Sequence, residues 1–69
     1  MNNKAVVRVT LHHITLPEHW NLDYWTSMCR TVRDGRKVVL TESDKSKEKL
    51  KEKVIAELED IGQAPHFEE

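Results

Sequence analysis

"VRDGRKVV", residues 32–39, decides how this chain folds. It sets Asp34-Gly35 between β-branched residues, the strongest short-range signal for a two-residue hairpin. A type I′ turn requires positive φ at both central positions, which Asp tolerates and Gly accepts freely. Working back from the turn, "LDYWTSMCRTVR" (22–33) becomes one arm, with Trp25, Cys29 and Thr31 on a shared face. Working forward, Cys29 opposes Leu40 and Thr31 opposes Val38, which makes that face apolar. The first arm has a rival reading. Leu22, Trp25, Met28, Cys29 and Val32 also recur at helical spacing, and a helix ending at Gly35 would give a β-α-β-α order. The turn chemistry favours the hairpin.

Upstream, residues 4–12, "KAVVRVTLH", read as a strand. Ala5, Val7, Val9 and Leu11 share one face, and Val6, Arg8, Thr10 and His12 the other. The apolar parity then shifts to Ile14 and Leu16, so an end or bulge is expected near His12–His13. Pro17 breaks pairing, which makes "LPEHWNLD" a loop. Downstream, residues 44–61 carry a helical stripe of Leu50, Val54, Leu58 and Ile61, with Ile55 at its edge. Ser43 or Asp44 is placed to cap the first turn, Gly62 suits the C′ position, and Pro65 lies just beyond. Residues 63–69 are expected to be a loose tail unless Phe67 docks on the core.

The expected fold is α+β: a three-stranded antiparallel sheet packed by one C-terminal helix, β-β-β-α. The helix stripe would rest on Val7, Val9, Leu11, Val38 and Leu40. The opposite sheet face would show Arg8, Thr10, His12, Arg30, Lys37 and Val39. Val6, Met28, Val32 and Val39 would leave that face partly apolar, which marks it for a partner or for dimerisation.

The sequence has 69 residues and is read as one domain spanning 1–69. A chain of this size buries only about 60% of the surface its unfolded state exposes, so its stability is small. Its net charge of −1 points to no global electrostatic partner. The charge is uneven: residues 1–41 hold six Lys/Arg against three Asp/Glu (+3), and residues 42–69 five against nine (−4). The single cysteine, Cys29, excludes an intrachain disulfide and a cysteine zinc cluster. No signal-peptide pattern opens the chain and no run approaches a membrane span, so a cytoplasmic location is expected.

Few residues suggest catalysis. His12 and His13 are adjacent, so on a strand they face opposite ways and do not share a metal easily. Bringing His12 to His19 would need the loop to fold back, and Glu18 adds no recognised ligand spacing. Strand-end and loop histidines are the plainer reading. Cys29 could in principle pair with a histidine as a nucleophile, but no oxyanion turn follows it and a buried hydrophobe is the simpler role. The two glycines, Gly35 and Gly62, are accounted for by a turn and a cap, which leaves none for a phosphate loop. We expect no enzyme activity, no metal and no cofactor.

Two features point to binding. Trp20, Tyr24 and Trp25 cluster within six residues, and exposed aromatics anchor partners, although one Trp closing the core edge is the bland alternative. "SDKSKEKLKEK", 43–53, crowds five lysines at the start of the helix and leaves the acids at its end. That opposes the helix dipole, whose positive end favours anions, and would suit a bound phosphate. A mixed ridge of Lys45, Lys49 and Lys53 beside Glu48, Glu52 and Glu59, with Lys47 and Lys51 flanking the apolar stripe, also serves solubility alone.

The stretch from His19 to Leu58 resembles the later part of a double-stranded-RNA-binding domain. It has a loop histidine (His19), a hairpin (Asp34-Gly35) and a helix opening on Lys45, Lys47 and Lys49. The resemblance implies duplex contact by those lysines and that histidine. The family's first helix is absent, its helix alanines are replaced by Leu50, Val54 and Ile55, and the acidic second half of the helix repels phosphate.

The leading expectation is a non-enzymatic regulatory module. It binds a protein partner or itself through Trp20, Tyr24, Trp25, Arg8, His12, Arg30 and Val39. The alternative is a nucleic-acid binder using Lys45, Lys47, Lys49, His19, Arg33, Arg36 and Lys37. No membrane partner and no small-molecule substrate are expected.

Overall fold

The computed structural model describes residues 4–16 and 22–69, with the side chains of Leu16 and Leu22 not described. Its elements are β1 (Ala5–Leu16), β2 (Leu22–Arg33), β3 (Arg36–Asp44), α1 (Lys47–Asp60) and β4 (Gln63–Glu68). The protein is α+β, with one helix on a mixed four-stranded sheet of order β3-β2-β1-β4.

The hairpin forms where the sequence placed it. Asp34 and Gly35 have φ of 52° and 76°, the paired positive values of a type I′ turn. Arg33 lies opposite Arg36, and the register carries Thr31 to Val38 and Cys29 to Leu40. The helical reading of 22–33 is thereby replaced by a strand.

Several expectations are corrected. β1 neither ends nor bulges at His12–His13: it pairs with β2 without interruption from Val9↔Cys29 to Leu16↔Leu22. The shift in apolar parity therefore puts Ile14 on the open face, opposite Tyr24, rather than ending the strand. Asp23 and Leu22 belong to β2, and the rest of the expected loop, 17–21, lies outside the described residues.

Residues 63–68 are no loose tail. They form β4, parallel to β1 in the register Ala5↔Gln63 to Thr10↔Glu68. The expected exception applies, because Phe67 packs against the core. β4 also closes a gap. The β1–β2 ladder stops at Val9↔Cys29, and beyond it the Gln63 amide donates to the Val32 carbonyl at 3.0 Å and accepts from the Thr31 hydroxyl.

The core lies between the helix and one sheet face. Val9, Leu11, Cys29, Leu50, Val54 and Leu58 are buried together, with Val7, Trp25, Leu40, Ile61 and Phe67 packed around them. The helix begins later than expected. Ser46, not Ser43 or Asp44, is the N-cap, and its hydroxyl accepts from the Lys49 amide at 3.3 Å. Asp44 supports the cap from outside, accepting from the Ser46 amide at 2.8 Å. Gly62, at φ 71°, is the left-handed residue that ends the helix, and its amide donates to the Glu59 carbonyl.

Candidate functional site: the open face of the sheet

Side chains alternate along each strand, so the registers assign every residue to a face. The helix covers Val7, Val9, Leu11, Trp25, Ser27, Cys29, Thr31, Val38, Leu40 and Phe67. The other face is uncovered. Four aliphatic side chains stand out on it: Val6 at 69% exposed, Val39 at 56%, Val32 at 50% and Met28 at 45%. Basic residues are interleaved with them: Arg30 lies opposite Val39, and Lys37 opposite Val32. Arg8 stands beside them on β1, across from His66 of β4. Among the described strand residues, the one acid on this face is Glu68, which binds Arg8 at 2.8 Å.

The face is shallow. A depression of about 330 Å³ is lined by Arg30, Val32, Lys37 and Val39. A wider one of about 640 Å³ follows His12, Tyr24, Thr26, Met28 and Thr41 and runs past the β3 edge to Glu42 and Lys53. Both depressions are open to solvent.

Of the residues expected to bind a partner, Arg8, His12, Arg30, Val39 and Tyr24 share this face. Trp25 does not: it has the parity of Cys29 and points to the helix side. There it stacks on His13, with ring centroids 4.4 Å apart and planes 6° from parallel, and Lys47 Nζ lies 5.0 Å over its ring. His13 in turn bonds Asp23. The signal that places Trp25 was present in the sequence, since the strand reading already put it with Cys29. Trp20 and His19 lie outside the described residues.

The cations of the phosphate reading are not brought together. Lys45, Lys47 and Lys49 follow the end of β3, whereas Arg33, Arg36 and Lys37 flank its beginning. Eight strand rises from Arg36 to Asp44 separate the groups by roughly 26 Å. Three lysines of the cluster have intramolecular roles. Lys47 pairs with Glu69, Lys51 Nζ lies 5.4 Å over the Phe67 ring, and Lys53 holds Asp44 at 3.0 Å. Ser46 and Lys53 stabilise the Asp44 carboxylate, which holds its pKa below the usual range.

Cys29 is enclosed by the core, and burial, with Glu57 nearby, pushes its thiol pKa up. A thiol held neutral in this way is a poor nucleophile. Glu57 approaches Glu42 across the β3–α1 edge, where burial and then that second carboxylate raise its pKa, with Arg33 acting against the rise. Among the described residues, no three His, Cys, Asp or Glu side chains converge as metal ligands. No helix among them is long and apolar enough to cross a membrane. Comparisons with protein-family models, with curated proteins and with solved structures found no match to this chain.

Proposed function

We infer that the protein is a non-enzymatic interaction module whose open sheet face binds a protein partner. One observation carries this reading: four exposed aliphatic side chains, Val6, Met28, Val32 and Val39, share a face with Arg8, Arg30 and Lys37. Exposed aliphatics on a sheet weaken solubility unless something covers them. The interleaved cations select what does. They favour a surface or segment that carries Asp or Glu beside apolar residues. A nucleic-acid partner is supported less, because base-stacking sheets present aromatics and this face offers Tyr24 alone among the described residues. The separation of the two cation groups also argues against a single phosphate-tracking surface.

The test is a pull-down from the source cells with wild-type protein and with Met28→Asp/Arg30→Glu. Both changed residues are exposed, so the fold should persist, as circular dichroism would verify. Selective loss of a captured protein supports the reading. Equal capture by both refutes it. A parallel gel shift with duplex RNA, compared with Lys45→Ala/Lys49→Ala, tests the alternative: salt-sensitive binding lost in that variant would favour it.

A further inference from the structure

The two edges of the sheet are unlike. β4 is six residues long and contains Pro65, features that discourage pairing with another strand. β3 is nine residues long, with no proline, glycine or bulge among Arg36–Asp44. The backbone phase of β3 follows from its turn. A two-residue hairpin makes Arg33 and Arg36 a mutually hydrogen-bonded pair. Arg36, Val38, Leu40, Glu42 and Asp44 therefore direct their amides and carbonyls to β2. Lys37, Val39, Thr41 and Ser43 direct theirs away from the sheet. One contact is compatible with this phase: the Ser43 carbonyl accepts from Lys53 Nζ at 3.1 Å.

The charge along this edge is polar in sequence. It starts with Arg36 and Lys37 and ends with Glu42 and Asp44. Such a strand complements itself when reversed. We propose that β3 pairs antiparallel with β3 of a second copy of this chain, in the register that sets Leu40 against its own counterpart on a two-fold axis.

That register satisfies three independent conditions. The outward backbone groups meet, Lys37 against Ser43 and Val39 against Thr41, so the phase permits hydrogen bonds. Arg36 lies opposite Asp44 of the second copy and diagonal to its Glu42, and the same contact recurs by symmetry. Half-buried Leu40, at the edge of the core, meets its own counterpart at the axis. Shifting the centre to Val39 or Thr41 keeps the phase but sets fewer of the nine residues in pairs and breaks the Arg36–Asp44 match. Lys53 occupies one lone pair of the Ser43 carbonyl and leaves the other for the Lys37 amide.

The pairing joins two sheets into one of eight strands. It brings Val39 of each copy onto one continuous open face, doubling the surface assigned above to a partner. It does not depend on that assignment.

Sedimentation velocity across roughly 10 μM to 1 mM, a range suited to a single-strand interface, tests it. Wild type should shift from monomer to dimer. Thr41→Pro removes an outward amide and leaves the β2 ladder intact, so it should weaken the dimer at least roughly tenfold while circular dichroism stays native. Arg36→Glu, which sets a glutamate against Asp44 of the second copy at both symmetric contacts, should weaken it further. Val6→Asp, on the open face of β1 with β2 between it and β3, should leave it unchanged. A wild-type monomer throughout, a dimer indifferent to Thr41→Pro, or a dimer abolished by Val6→Asp would each overturn the pairing.

Discussion

His13 and Trp25 lie directly opposite each other on β1 and β2, and their rings stack with centroids 4.4 Å apart. The pair sits on the helix side of the sheet, with Lys47 over the indole and Asp23 holding the imidazole. Stacked pairs contribute about 0.5–1.5 kcal/mol beyond area burial. His13→Ala should therefore lower unfolding free energy by about that amount in urea titration. In a Trp20→Phe background, Trp25 emission should also shift to the red.

Leu50 is fully buried at the centre of the helix stripe. Leu50→Ala removes side-chain volume from a small core, at a cost of about 2–5 kcal/mol. Against the modest stability of so short a domain, that is enough to populate the unfolded state at 25 °C, visible by circular dichroism. Val39→Ala, on the open face, should change stability by less than about 0.5 kcal/mol.

Glu57 has a raised folded-state pKa because it is partly buried beside Glu42. A raised acid favours folding most when it is protonated. Its contribution is present below the unfolded pKa and is lost as pH rises through the folded one. Glu57→Gln keeps the neutral form at every pH. Its melting temperature should exceed wild type by a few degrees at pH 7 and converge with it near pH 4. An unchanged difference across that range would contradict the carboxylate pairing.

Asp44 moves the other way. Its lowered pKa means its contribution is present above the unfolded value and lost as pH falls through the folded one. Asp44→Asn should therefore destabilise at pH 7, and the difference should shrink as the pH falls below the usual carboxylate range.

Gly62 holds φ at 71°, so any Cβ there is strained although the space around it is open. Gly62→Ala should cost about 1 kcal/mol. The loss should be greatest in β4, and hydrogen exchange of the Gln63–Glu68 amides should speed up more than that of β2.

What was legible in the sequence was local. Asp34-Gly35 announced its turn, Leu50, Val54 and Leu58 announced the helix face, and both signals span a few residues. β4 was not legible. "QAPHFEE" has a proline and no clear alternation, and it is a strand because β1 offers it a partner far away in sequence. The continuation of β1 past His13 was hidden for a related reason. Ile14 lies opposite Tyr24 on the open face, and the residues on either side cannot report that pairing. Among the site residues, Arg8, His12, Arg30 and Val39 follow from strand parity, whereas Trp25 is close to Tyr24 in sequence but separated from it by parity.

The arrangement of β4 has a consequence for the order of assembly. Its partner β1 is the earliest strand described, and the segment between them contains β2, β3 and the whole helix. Closing so large a loop is slow, and it becomes worthwhile only after α1 has settled and turned at Gly62. The β1 margin thus stays bare through most of folding, and the short strand that finally covers it is also the one that detaches at least cost. In this protein the last piece to arrive is the first able to leave, like a latch.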